Sequence, residues 1–232
     1  MRIGGLQKHS FIDYPGKVSC VVFLAGCNFD CPYCHNPQLA GDPTRRPAAV
    51  AAEDVFVFLD RRRGFLDGVV ISGGEPTLHP DLPDFCARVK RLGYSVKLDT
   101  NGSRPQMLTR LIREGLVDYV AMDIKTDPER YEGCVAGRCD RSMLLASMHV
   151  MMASALDYEF RTTCVKPLVT PGTVERIARL IQGCRRYALQ PFKEATLLHP
   201  EFFSTFDPAC SPAEMDRLKC IAEPWVQACL VR

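Results

Sequence analysis

No stretch of this chain is long and apolar enough to span a bilayer. The longest mostly apolar run, Leu144 to Leu156, is short and interrupted. Met1 to Ser10 lacks the apolar segment of a secretory leader, so a cytoplasmic location is expected. Charge of one sign is also scarce: a net charge of +2, with the arginines spread rather than striped, gives no electrostatic basis for binding nucleic acid. Arg61, Arg62 and Arg63 read as the solvated last turn of a helix, where cations favour the macrodipole. There is no low-complexity linker, and 232 residues at 47 % hydrophobic composition can bury one core, so a single domain over 1–232 is expected. Missing as well is any long insertion to enclose a small substrate.

Cysteine, by contrast, is plentiful, at 12 residues. In a reducing compartment such a count points to metal ligation together with ordinary buried thiols, not to disulfides. Cys20, Cys86, Cys164 and Cys184 stand inside apolar or amphipathic segments and suit core packing. Cys134 and Cys139, with Cys210, Cys220 or Cys229, are candidates for an auxiliary metal site that spacing alone does not define. Cys27, Cys31 and Cys34 differ in kind. They follow the apolar run Val18 to Ala25 in the order Cys-x-x-x-Cys-x-x-Cys. Such a loop can bring three sulfurs to three corners of a [4Fe-4S] cube, and no fourth Cys is near in sequence. One iron would then be open to a ligand that is not protein. A zinc site made by the three thiolates and His35, in a non-catalytic or electron-transfer protein, is the alternative.

Short β-branched runs alternate with helix-length amphipathic segments along the chain, the pattern of right-handed βαβ crossovers. Strands are expected near Val18 to Leu24, Gly68 to Ser72, Ser95 to Asp99, Tyr119 to Asp123, Glu159 to Cys164 and Ala188 to Pro191. Helices are expected over Glu53 to Arg63, Leu82 to Leu92, Pro105 to Glu114, Ser142 to Leu156, Thr173 to Arg185 and Pro212 to Ala222. Six such units are too few for a closed eight-stranded barrel, so the expected fold is α/β, a partial (β/α)6 barrel of parallel strands. A doubly wound open sheet is the alternative from pattern alone. In parallel folds the C-terminal strand ends share one face. The Cys loop, Gly73-Gly74-Glu75, Asp99-Thr100-Asn101 and Asp123-x-Lys125 close four successive strands and should point into one mouth.

With Tyr33 before its third Cys, the trio resembles the signature of the radical S-adenosylmethionine enzymes. Gly73-Gly74-Glu75-Pro76 is similar to that family's Gly-Gly-Glu motif, which implies that Gly73, Gly74 and Glu75 meet the methionine amino group. The resemblance makes Tyr33, His35 and Asn36 an adenine-recognising segment. Asp99-Thr100-Asn101-Gly102 and Asp123-Ile124-Lys125 resemble motifs of the glycyl-radical enzyme activating enzymes. There Asp99, Thr100 and Asp123 would help hold the methionyl group or a monovalent cation, and Lys125 would pair with the carboxylate. Ser10 to Gly16 resembles the activase loop and implies that Asp13 lies near an incoming glycyl peptide. Its Tyr14 matches best the anaerobic ribonucleoside-triphosphate reductase activating proteins. Arg161 and Leu189 to Lys193 continue the likeness, with Lys193 where many relatives carry His. The resemblance covers about 6–193, leaving 194–232 as a C-terminal extension.

What the resemblance implies is an oxidoreductase that holds a three-Cys [4Fe-4S] cluster and S-adenosylmethionine. Flavodoxin or ferredoxin would reduce the cluster, the sulfonium would be cleaved, and a 5'-deoxyadenosyl radical would take hydrogen from a glycine of a partner, anaerobic ribonucleotide reductase. No side chain acts as acid or base in that scheme; Asp13 and Arg161 would position the substrate. The alternative within the superfamily is an enzyme acting on a small molecule or nucleoside precursor. His9, His79, His149 and His199 have no motif around them and read as structural.

Overall fold

The expected alternation of strands and helices is realised, and its order along the chain is also its order in space. The computed structural model describes residues 1–41, 49–131, 140–193 and 197–232. Cys134 and Cys139 lie outside the described residues. Strands β1 (Ile3–Ser10), β2 (Ser19–Leu24), β3 (Gly68–Gly73), β4 (Ser95–Thr100), β5 (Tyr119–Asp123), β6 (Asp157–Cys164), β7 (Tyr187–Pro191) and β8 (Cys229–Val231) form one sheet in sequential order. β1 is antiparallel to β2, and every later pairing is parallel. Helices α1 (Ala52–Arg61), α2 (Leu82–Arg91), α3 (Pro105–Arg113), α4 (Arg141–Ala153), α5 (Pro171–Leu180) and α6 (Pro212–Ala222) fill the crossovers. A doubly wound sheet would reverse its strand order at a switch point. This one does not reverse, which is the barrel type of winding.

The six expected βα units are all present, and two strands flank them that the periodicity did not reveal. β1 carries Gly4, Gly5 and a polar end, and its register against β2 shifts twice. Such bulged, polar strands belong to sheet edges, where an alternating apolar pattern is not needed. β8 is three residues long, too short to carry a period.

Side chains alternate between the two faces of the sheet. One face, with Val22, Ile71, Leu98, Met122 and Phe160, packs under the helices as the main core. The other face bears a gradient. At the N-terminal strand ends Tyr14, Val21, Val70 and Tyr119 form a small apolar cluster with Ala121. The rings of Tyr14 and Tyr119 are 5.9 Å apart. Further along the same strands this face becomes charged: Lys97 and Asp99 on β4, Asp123 on β5, Glu159 and Arg161 on β6. Register places Asp99 opposite Ala121 and Asp123 opposite Arg161, so these groups lie side by side on neighbouring strands. Among the described residues, no helix is long and apolar enough to cross a membrane.

Candidate active site

The charged end of that face opens into a cavity of about 960 Å³, counted out to its mouth. Cys27, Cys31 and Cys34 line one wall, with Tyr33, His35 and Asn36 beside them. Gly73, Gly74, Asp99, Thr100, Asp123 and Lys125 form the opposite rim, and Arg161, Thr163 and Gln190 close it from β6 and β7. Residues more than a hundred positions apart thus converge because each stands at the end of a parallel strand.

The Cys loop is pinned at several points. Cys27 N–H donates to the Gly41 carbonyl at 2.8 Å, and Gly26 N–H donates to the Leu39 carbonyl at 2.7 Å. The Tyr33 hydroxyl donates to the Lys125 carbonyl at 3.2 Å, tying the loop to the end of β5. His79 contacts the Ala25 carbonyl at 3.0 Å through Nε2, a structural role in keeping with its lack of a motif. The glycine pair is required by close approach: a Cβ on Gly74 would lie 2.0 Å from the Gly26 carbonyl oxygen, and Gly73 has φ +114°.

All three thiols reach the same cavity, and the Cys27 sulfur accepts from Phe29 N–H at 3.4 Å and from Asn101 Nδ2 at 3.9 Å. N–H donors of this kind suit a sulfur that carries negative charge in a cluster. Burial pushes the Cys27 thiol up to about 11 and the Cys31 thiol up to about 12, so binding a metal must displace protons. Among the described residues no group of three or more His, Cys, Asp or Glu is already drawn together to hold a metal ion, the trio of Cys27, Cys31 and Cys34 included, so this arrangement favours neither the zinc site with His35 nor the cluster.

Glu75 points away from the cavity wall. Its carboxylate is fully buried and accepts from Thr77 N–H at 3.0 Å, Thr100 Oγ1 at 2.7 Å and Asn101 N–H at 2.6 Å, and also from the Thr77 hydroxyl. Burial nevertheless pushes its pKa up, against these hydrogen bonds. The backbone of Gly73 and Gly74, not the Glu75 carboxylate, faces the open space. Asp13 is not brought to the cavity: its loop precedes β2, at the opposite end of the sheet, where Ser10 Oγ donates to its carboxylate. Lys193 is exposed and lies off the wall.

The charged group is the densest feature of the site. Arg161 Nε donates to Asp123 Oδ1 at 2.7 Å, and its Nη1 is 3.4 Å from Asp99 Oδ2. Lys125 Nζ donates to Asp123 Oδ2 at 2.8 Å. Burial works against the carboxylate of Asp123, but Arg161 and Lys125 outweigh it and hold its pKa far below the usual range. Asp99 is lowered in the same way, burial being overcome by Arg161 and Lys97. Lys97 is a participant that sequence reasoning missed. Its ammonium pairs with Asp99 Oδ1 and lies 5.9 Å from the centre of the Tyr119 ring. The signal was legible: two residues before Asp99 on one strand means the same face.

The C-terminal extension is a second omission. His199 Nε2 is 3.0 Å from Asp30 Oδ1, and the His199 backbone N–H donates to the Pro32 carbonyl at 3.2 Å. His35 stacks on Phe192, and Phe192 on Phe203, each with centroids 6.1 Å apart. The extension therefore braces the outer side of the Cys loop.

Residues 21–187 match the family described as the Radical SAM superfamily. A Methanocaldococcus jannaschii protein, provisionally named as a glycyl-radical enzyme activating enzyme, is 35 % identical over 99 % of this chain and 95 % of its own length. The pyruvate formate-lyase-activating enzyme of Clostridium pasteurianum is 32 % identical over 60 % of this chain and 59 % of its own. Among solved structures, Streptococcus suis SuiB bound to the precursor peptide SuiA superposes with a TM-score of 0.67 at 14 % identity. That match covers 91 % of this chain and 48 % of SuiB, and shows the shared fold.

Proposed function

Since the chain belongs to the radical SAM superfamily and, within it, to the glycyl-radical enzyme activating family, we propose that it installs a radical on a glycine of anaerobic ribonucleoside-triphosphate reductase. The observation that carries this reading is the meeting of three cluster-competent thiols and a cationic carboxylate-binding group around one cavity. The choice of partner rests on the Ser10 to Gly16 segment with its Tyr14. When bound together, the cluster and S-adenosylmethionine supply one-electron cleavage of the sulfonium and the hydrogen abstraction that follows.

The protein's own part is holding and orienting. Cys27, Cys31 and Cys34 would hold the cluster, leaving one of its irons without a protein ligand. Gly73 and Gly74 offer backbone to the methionyl amino group, and Glu75 fixes that turn to the end of β4. Lys125 and Arg161 present the positive charge that meets a carboxylate, a charge-assisted contact strengthened where water is excluded. Thr100 Oγ1 donates to Glu75, so it acts through that turn. Tyr33, His35 and Asn36 form the adenine side, with His35 held by its stack on Phe192. We read Lys193 as an outer contribution to the potential at His35, and Asp13 as a contact of the partner protein outside the cavity. Flavodoxin or ferredoxin is the proposed electron donor.

The test is electron paramagnetic resonance on the reduced, cluster-loaded protein mixed with the reductase and S-adenosylmethionine. A glycine-centred doublet is expected, together with 5'-deoxyadenosine. Cofactor cleavage without that doublet would transfer the activity to another glycyl-radical enzyme, or to a small molecule if no such enzyme yields it.

A further inference from the structure

The resemblance that assigns Asp99, Thr100 and Asp123 to a cofactor pocket also implies a monovalent cation held by those acids. The side chains present do not fit it. Each of the four carboxylate oxygens of Asp99 and Asp123 already faces a cation of the protein. Asp99 Oδ1 is paired with Lys97, and Asp99 Oδ2 lies 3.4 Å from Arg161. Asp123 Oδ1 accepts from Arg161 at 2.7 Å, and Asp123 Oδ2 accepts from Lys125 at 2.8 Å. A metal ion bonded to any of these oxygens would sit directly against a like charge.

Lys97 is the unusual member. Its side chain is 1 % exposed, which for a lysine requires a fixed partner. That partner is Asp99, with the face of Tyr119 beneath. Ser72 Oγ donates to Asp99 Oδ2 at 3.2 Å, so the carboxylate is held from β3, β4 and β6 at once. The next acid along this face, Glu159, pairs with Arg232 at 2.8 Å, so that further pair adds no net charge to the group. Asp99 and Asp123 therefore stand against Lys97, Lys125 and Arg161, and this group carries one net positive charge beside the cavity, with Lys97 buried behind the lining.

We infer that Lys97 is a built-in replacement for the monovalent cation: it fixes Asp99 and lets the site take up S-adenosylmethionine with no potassium or sodium present. Lys97 touches no reacting atom in this arrangement and is a positioning residue. The inference rests on the assignment of this cavity to S-adenosylmethionine.

The experiment measures binding of S-adenosylmethionine to the anaerobic, cluster-loaded protein, by calorimetry and by the change in the reduced cluster's paramagnetic resonance spectrum. Potassium, sodium and choline salts are compared at equal ionic strength. The wild-type protein should bind equally in all three. Lys97→Met should lose about tenfold or more in affinity in choline, the scale of one charged hydrogen bond, and regain it in potassium or ammonium. Lys97→Arg should bind without either. Wild-type binding that collapses in choline overturns the inference, as does a folded, iron-replete Lys97→Met protein that no cation rescues. Should Lys97→Met fail to fold, the wild-type salt series and Lys97→Arg decide the matter. Absence of wild-type binding in every salt would instead refute the assignment of the cavity itself.

Discussion

At the scale of single residues, the site separates groups that hold by charge from groups that hold by shape. Asp123, Arg161 and Lys125 are kept ionised by one another, because each charge lowers the cost of burying the next. The thiols behave oppositely. Without a cation bonded to them, burial keeps Cys27 and Cys31 protonated up to about 11 and about 12. Ligation must convert both to thiolates, so protons and iron compete for the same sulfurs. The sign follows: raising the pH removes the competitor and favours the loaded form, while acidification drives iron out. Assembly of the cluster on anaerobic protein in weak buffer should release at least two protons from these thiols. Stripping by an iron chelator should accelerate as the pH falls from about 9 to about 7. Both are read with an indicator dye and the visible absorbance of the cluster. Fewer than two protons released would mean that the thiols are already ionised before iron arrives.

At the scale of elements, the loop after β2 and the turn after β3 are interlocked, and the interlock explains why Gly74 has no side chain. Glu75 N–H donates to the Gly26 carbonyl at 2.7 Å, one residue before Cys27. A methyl group on Gly74 would overlap that carbonyl, whereas one on Gly172 meets its nearest neighbour, the flexible tip of Arg176, at 3.4 Å. Gly74→Ala should therefore destabilise the fold by about 1–3 kcal/mol, by the overpacking rule, and lower the iron retained after reconstitution. Gly172→Ala should leave iron content unchanged. Thermal melting and iron quantitation check both, and full iron content in Gly74→Ala would refute the interlock. The same comparison shows what a sequence can reveal. β2 to β7 and the six helices were legible, because β-branched runs and amphipathic periods report burial directly. The strand-end residues were legible too, since parallel winding brings them to one face without knowledge of contacts. β1 was not, because an edge strand with two glycines and bulges shows no alternation. The inward turn of the Glu75 carboxylate was equally hidden. It depends on donors from Thr100 and Asn101, 25 and 26 residues away, and no local pattern encodes a distant donor.

At the scale of the whole molecule, the extension after residue 193 belongs to the sheet and to the core as much as residues 21–187, which match the superfamily. α6 begins with a capping box, Ser211 and Glu214 each bonding the other's backbone N–H. It buries Met215, Leu218 and Ala222, and α6 packs against α5. β8 then pairs with β7, and Phe203 continues the aromatic stack over the Cys loop. Full burial of a large apolar side chain contributes about 1.5–3 kcal/mol, so Phe203, Met215 and Leu218 together supply roughly 5–9 kcal/mol. That is comparable to the entire stability of an ordinary domain, about 5–15 kcal/mol. Removal would also uncover the face of α5 on which α6 packs and leave β7 as an unpaired edge. A chain ending at Lys193 should therefore be recovered without a cooperative thermal transition and should fail to hold iron, even though every cysteine of the trio and every acid of the site remains. Circular dichroism melting and iron analysis under anaerobic conditions test this. A truncated protein that melted cooperatively and kept its full iron would show that the extension is dispensable cover, and the brace of His199 on the Cys loop would then have no structural weight.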